Sequence, residues 1–94
     1  MKTKSKISVL MSVYNNANFL PESIESTLNQ TFPNFEFLIV NDASTDDSLN
    51  IIKKYQKQDK RIKIIANKKN LGLTKSLNKG IELAKGKYIA RLDA

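Results

Sequence analysis

Four places in the chain carry residue types from which chemistry could be built: Tyr14-Asn15, Asn41-Asp42, Asn67 with Asn70 nearby, and Asp93. Each follows an apolar run. The chain has no histidine and no cysteine. That removes the commonest general base, the commonest metal ligand, thiolate metal sites and any disulfide framework. What remains must work with carboxylates, amides, hydroxyls and lysines. Two aspartates at strand ends suit a hard cation such as Mg²⁺ or Mn²⁺ bridging a diphosphate. Asp42 equally suits a plainer role, capping its own turn.

The elements that must position these residues follow from periodicity. Phe35-Glu36-Phe37-Leu38-Ile39-Val40 is a near-continuous apolar run with β-branched and aromatic residues, the pattern of a strand buried on both faces. It switches at Asn41-Asp42-Ala43-Ser44 to turn chemistry, and Ser44 with Asp47 forms a capping-box variant that predicts a helix from about Thr45 to Gln58. Ile51, Ile52 and Tyr55 form its inner face, with Lys53, Lys54 and Lys57 outward. Earlier, Ile7–Val13 predicts a buried strand closed by Tyr14-Asn15-Asn16. Pro21 fits the first turn of a helix whose Leu20, Ile24 and Leu28 share one face, and Thr31-Phe32-Pro33-Asn34 ends it. Later, Ile62–Ile65 predicts a short strand near a sheet edge, and Asn67–Gly72 a polar loop turning at Gly72. A third helix is expected with Leu73, Leu77, Ile81 and Ala84 at helical spacing, stopped by Gly86 as its C′ residue. Tyr88–Leu92 begins a last strand that runs into Asp93.

Strand and helix alternate throughout, which predicts an α/β fold: a mostly parallel sheet with right-handed crossovers and helices on both faces. All four strand ends then lie along one edge, where amides, a phenol and two carboxylates meet a ligand rich in hydrogen-bonding groups. Neither the dinucleotide fingerprint G-x-G-x-x-G nor the P-loop is present, and Gly72, Gly80 and Gly86 all come late. Phosphates would therefore be met by a metal or by lysine.

Ninety-four residues make one domain, preceded by a basic tail over residues 1–6 that is expected to be mobile. The net charge of +7 is uneven. Residues 1–50 hold three lysines against six acids (−3), whereas residues 51–94 hold thirteen cationic side chains against three acids (+10). That asymmetry allows a nucleic-acid or anionic membrane partner, although lysines at this density are more often the solvated faces of helices. The apolar run after Lys6 is strand-length and lacks a signal-peptide cleavage site.

At this level of detail the residues resemble a known family. Ile7-Ser8-Val9-Leu10-Met11-Ser12-Val13-Tyr14-Asn15, then Leu28-Asn29-Gln30-Thr31-Phe32, then Phe35 through Asp46, are similar to the opening motifs of family 2 glycosyltransferases. Asn70-Leu71-Gly72-Leu73 through Asn78-Lys79-Gly80-Ile81, and Gly86-Lys87-Tyr88-Ile89-Ala90-Arg91-Leu92-Asp93-Ala94, resemble the next two. The resemblance covers residues 7–94 and implies the Rossmann-like, nucleotide-sugar-binding N-terminal half of the GT-A fold. It implies that the segment with Ser12, Tyr14 and Asn15 embraces the nucleoside, with the Tyr14 ring beside the base. It further implies that Asp42 accepts the imide N3–H of uracil. Asp93 would be the first acid of the DxD motif, contacting ribose or metal, with Ala94 in the middle position.

The pattern also departs from the family. Leu77 stands where many members carry an arginine; Lys75, earlier on the same segment, is the candidate substitute for neutralising the diphosphate, beside the plainer reading of a solvated lysine. The second DxD acid and the catalytic base have no counterpart in these 94 residues. The resemblance thus implies an inverting, Mg²⁺- or Mn²⁺-assisted transferase of intact length. Its donor would be UDP-linked, its acceptor a saccharide or lipid-linked sugar in polysaccharide biosynthesis, and its location cytoplasmic or peripheral at the inner membrane face. The fragment itself is expected to be inactive and to self-associate through uncovered apolar surface. The alternative reading is a non-catalytic nucleotide-binding module with a basic face for nucleic acid or membrane.

Overall fold

The computed structural model describes residues 7–30 and 34–93; the expected basic tail, the Thr31-Phe32-Pro33 connection and Ala94 lie outside the described residues. Strands β1 (Ile7–Val13), β2 (Phe35–Asn41), β3 (Ile62–Ala66) and β4 (Tyr88–Asp93) alternate with helices α1 (Leu20–Leu28), α2 (Ser48–Gln58) and α3 (Leu73–Leu83). The four strands form one all-parallel sheet in the order β3-β2-β1-β4. Every residue of β2 is buried, as its apolar run predicts for an inner strand. The shorter, alternating β3 is an edge, also as expected.

Two connections step one way across the sheet and the third steps back past β1. Reversing the step with one crossover hand moves the helix to the other face. Accordingly Val9, Met11, Val13, Phe37 and Ile39 pack with Leu20 and Ile24 of α1 and Ile52 of α2 on one face. Leu10, Leu38 and Val40 pack with Leu77 of α3 on the other. The reversal leaves a switch point between β1 and β4, the place where open α/β sheets leave a crevice beyond their strand ends.

Three local expectations are corrected. Helix α2 starts at Ser48 rather than Thr45, and Ser44 with Asp47 does not form a capping box: the N-cap is Asp47, with no side-chain cap bond. The Asn15 amide oxygen accepts from the backbone N–H groups of Thr45 and Asp46, so a neighbouring loop satisfies donors the helix would otherwise have used. Helix α3 buries Ser76, Leu77 and Gly80, whereas Leu73 (53% exposed) and Ile81 (48%) face outward. Gly80 lets the helix close on β1, since a Cβ there would lie 2.2 Å from the Leu10 Cδ1 atom. The hydrogen bond from Asn67 to Ser76 holds the same face inward.

Gly86 is the third correction. Helix α3 ends at Leu83 with an extended C-cap at Ala84, and Gly86 is not in the left-handed region. Its requirement is close approach: a Cβ would sit 2.5 Å from both the Ser8 backbone nitrogen and the Ser8 Oγ. Gly86 N–H donates to Ser8 Oγ at 2.8 Å. The Ser8 hydroxyl and the Lys85 N–H both donate to the buried Glu36 carboxylate. This clamp seats the start of β4 against β1, which is how the far end of β4 acquires its register of Asp93 beside Ser12.

The two glycines should respond differently to a methyl group. At Gly86 the obstacle is backbone, so Gly86→Ala should cost at least the roughly 1–3 kcal/mol typical of overpacking. At Gly80 the obstacle is the end of a leucine side chain, and alanine regains about 1 kcal/mol of helix propensity, so Gly80→Ala should cost clearly less. Urea unfolding of both variants checks the order.

Candidate functional site

The expected convergence of strand ends is present. Val13 and Asn41 are in register, as are Asn41 and Ala66, and Ser12 and Asp93. The ladder continues one step past the strands: Asp42 N–H donates to the Val13 carbonyl at 2.8 Å, and Asn67 N–H to the Asn41 carbonyl at 2.9 Å. Beyond these bonds the chain turns sharply. Asn15 and Ala43 take positive φ values of 51° and 59°, a conformation that costs a residue with a Cβ and that clusters at functional sites.

Asp42 is 2% exposed and is one of the residues that line the cleft at this edge. Its Oδ1 accepts from Asn67 Nδ2 at 2.9 Å and from the Leu71 N–H at 2.7 Å. Its Oδ2 accepts from the Gly72 N–H at 2.9 Å. Burial by itself would raise the Asp42 pKa. The donors from Leu71, Asn67, Gly72 and Ser76 outweigh it, and the net shift is downward. Behind Asp42, Asn67 Nδ2 also donates to Ser76 Oγ at 3.0 Å, and Lys79 Nζ donates to Asn67 Oδ1 at 3.0 Å. Asp42 therefore does more than cap its own turn. It organises the loop between β3 and α3, and the positive φ of Gly72 (90°) lets that loop bring two N–H groups onto one carboxylate.

The cleft has a volume of about 550 Å³. Ser12, Tyr14 and Asn16 form one side, Asp42 the floor, and Asn70, Gly72 and Leu73 the other side. Tyr14 is 48% exposed, an aromatic face open to solvent at the cleft. The first turn of α3 contributes Gly72 and Leu73, so the positive end of that helix dipole lies beside the carboxylate.

The residues singled out by sequence are thus sorted. Ser12, Tyr14 and Asp42 come together around the cleft. Asn15 does not line it: its backbone N–H donates to Ser44 Oγ at 3.0 Å and its amide oxygen holds Thr45 and Asp46, stapling the β1–α1 loop to the β2–α2 loop. Lys75 is exposed on α3 and is not among the lining residues. The backbone of Asp93 pairs with Ser12 at the same edge. Among the described residues no group of three acidic, histidine or cysteine side chains could hold a metal ion. Ser76 and Lys79, which sequence reasoning missed, complete a network with the strand-end Asn67. The available signal was a serine amid the apolar positions of α3.

Asp42→Asn makes the point measurable. A single amide oxygen cannot serve three donors, and each buried donor left unpaired costs about 1–3 kcal/mol. The depressed carboxyl pKa adds a sign. Its stabilisation is present above the ordinary aspartate pKa of about 4 and is lost as pH falls through the folded value. The wild type should therefore lose stability on acidification in this range, and Asp42→Asn should flatten that part of the stability–pH curve.

The geometry can be set beside known proteins. The family model described as Glycosyl transferase family 2 matches residues 8–94. An uncharacterized glycosyltransferase of Haemophilus influenzae is 49% identical over 88 residues, covering 94% of this chain and 27% of that protein. Among solved structures, S. aureus TarS 1-349 in complex with UDP-GlcNAc superposes with a TM-score of 0.87 at 32% identity, over 94% of this chain and 26% of TarS 1-349. The mannosyltransferase PcManGT from Pyrobaculum calidifontis, in complex with GDP-Man and Mn²⁺, has a TM-score of 0.88 at 20% identity over 97% of this chain and 28% of its own, a likeness of fold. The chain thus spans about a quarter of the length of these proteins. With the motif order, the β3-β2-β1-β4 sheet and the cleft at its carboxyl edge all in agreement, the chain belongs to glycosyltransferase family 2 and carries the Rossmann-like part of a GT-A fold.

Proposed function

We propose that this chain is the donor-binding part of an inverting glycosyltransferase that takes a UDP-linked sugar to an acceptor hydroxyl. The observation that carries this reading is Asp42, a buried carboxylate held below the usual carboxylate range by its donors and placed among the residues that line the cleft. The uracil N3–H is a donor of the kind such a carboxylate accepts, whereas cytosine presents a lone pair at N3 and would meet a buried anion. Tyr14, half exposed on the opposite side of the cleft, offers a ring face for the base. The TarS complex with UDP-GlcNAc supports the same class of donor.

The remaining roles follow from position. Ser12 lies in register with Asp93, so the ribose and diphosphate would run from Asp42 toward the β1–β4 switch point. A Mg²⁺ or Mn²⁺ ion would be held there by Asp93 with donor phosphate oxygens and water, since the described residues offer no closed acidic cluster. When bound, the ion neutralises charge on the leaving diphosphate. Lys75, on the exposed first turn of α3, is the candidate for added neutralisation. Asn15 acts as a positioning residue through the loop staple. The acceptor is a saccharide or lipid-linked sugar in polysaccharide synthesis. The location is cytoplasmic, with the protein peripheral at the inner face of the membrane; no helix among the described residues is long and apolar enough to cross one.

Calorimetry with UDP and CDP tests the base reading. A charge-assisted hydrogen bond of about 1.5–3 kcal/mol selects a base by one to two orders of magnitude. Asp42→Asn should therefore weaken UDP far more than CDP. An equal loss for both would reduce Asp42 to an organiser of its loop.

The 94-residue chain by itself should transfer no sugar. It offers one candidate metal carboxylate and no histidine, and among the described residues no group of three acidic side chains that could hold a metal ion. Positioning contributes up to about 7–11 kcal/mol only when the reacting groups are present and aligned. Incubation with UDP-sugars, Mn²⁺ and simple acceptors should release no UDP above the no-enzyme control. Turnover abolished by Asp93→Ala would overturn this.

A further inference from the structure

Helix α2 begins with a serine whose buried hydroxyl the donor reading does not use. The side chain of Ser48 is fully buried. Its Oγ accepts from the Asn16 N–H at 3.1 Å, and its own N–H donates to Asp46 Oδ1 at 2.9 Å. The Ser48 hydroxyl also bonds the Asp46 carboxylate, and that bond is the largest cause of an Asp46 carboxyl held below its ordinary range. The other oxygen, Asp46 Oδ2, accepts from the Ala17 N–H at 3.1 Å. An exposed carboxylate thus grips a buried hydroxyl together with backbone from the β1–α1 loop and from the start of α2. Asn16 carries this grip to the cleft. Its Oδ1 accepts from the Tyr14 N–H at 3.2 Å, and its carbonyl accepts from the Phe19 and Leu20 N–H groups at 3.0 and 3.1 Å, where α1 begins. Asn16 and Tyr14 both line the cleft. Between them Asn15 holds its positive φ of 51°, a conformation that persists only where surrounding bonds impose it.

We propose that Ser48 is a positioning residue for nucleotide affinity: anchored by Asp46, it acts through Asn16 to hold Tyr14 at the wall of the cleft. This role rests on the donor reading of the cleft and separates two jobs within it. A carboxylate discriminates among bases by the donors and acceptors on their edges. An aromatic ring accepts all of them, because every base has a π face. Loosening Tyr14 therefore lowers affinity for every nucleotide alike, and the preference among bases, which belongs to Asp42, survives. The Asn15 staple fixes the same turn by a different set of bonds, to Ser44, Thr45 and Asp46. The bond at the Tyr14 N–H itself comes from Asn16, and Asn16 is the residue that Ser48 holds. A serine that merely opened α2 would have no such connection to the ring.

Ser48→Ala removes the acceptor of the Asn16 N–H. Asp46→Asn changes an exposed side chain and sets an amide NH₂ group against one of the backbone donors that the carboxylate now accepts. In calorimetry with UDP and with CDP, each variant should weaken both nucleotides by the same factor, about two- to tenfold, the size of one lost hydrogen bond. Tyr14→Ala should by itself cost about fivefold or more, and Ser48→Ala added to it should cost nothing further, because both changes remove the same contact. With no ligand present, amide hydrogen exchange should quicken at Tyr14 and Asn16 in both variants and stay unchanged in β2. Additive losses in the double variant, or unchanged exchange at Tyr14 and Asn16, would overturn the role of Ser48. So would faster exchange throughout β2, which would make the effect one of general stability. Equal binding of UDP and CDP by the wild type would remove the uracil reading instead, and a common loss in Ser48→Ala would still uphold the link to Tyr14. Binding of neither nucleotide would remove the donor reading and this role with it.

Discussion

Much of the functional edge of this protein depends on keeping one carboxylate charged where water hardly reaches. A buried aspartate without partners would take up a proton or unfold its surroundings. Asp42 keeps its charge because Leu71, Gly72 and the Asn67 amide all donate to it. Those donors belong to the loop between β3 and α3, so the charge and the loop hold each other in place. The wall of the cleft, the start of α3 and the inward turn of Ser76 are consequences of that one requirement.

The opposite edge of the sheet obeys a different constraint. There Gly86 packs on the Ser8 backbone, and the Glu36 carboxylate gathers the Ser8 hydroxyl and the Lys85 N–H. Nothing about this cluster is open to a ligand; its effect is to seat β4 at one register on β1. A strand seated at its beginning is also placed at its end, which connects a buried clamp at one edge to the position of Asp93 at the other. The two edges divide the labour: close packing sets the alignment, and polar loops present the chemistry.

Helix α3 and strand β4 carry much of the uncovered apolar surface. Leu73, Ile81 and Leu83 of α3 and Tyr88, Ile89 and Leu92 of β4 are all substantially exposed. The β2 core, by contrast, is sealed by helices on both faces. This imbalance accompanies a chain that matches about a quarter of its relatives' length.

The strands, their order along the chain, the helices between them and the convergence of Tyr14, Asp42 and Asp93 at one edge were legible in the sequence. Burial writes those features locally: a run such as Phe35–Val40 has few conformations that hide it, and turn residues must follow. Motif order carried the family in the same way. What sequence could not decide was which of several competent partners each polar group would take. Asn15 has the chemistry of a ligand-binding amide, and its oxygen here accepts from the N–H groups of Thr45 and Asp46, which lie within its reach once two loops are adjacent. Gly86 has the chemistry of a helix stop and is needed for close approach, because β1 passes beneath it. Helix α3 has an apolar stripe of which Leu77 turns inward and Ala84 packs on the core as predicted, yet a hydrogen bond to Ser76 and the gap at Gly80 draw those residues inward in place of Leu73 and Ile81. Each of these outcomes joins residues far apart in the chain, and only the folded sheet sets the distances that decide between them.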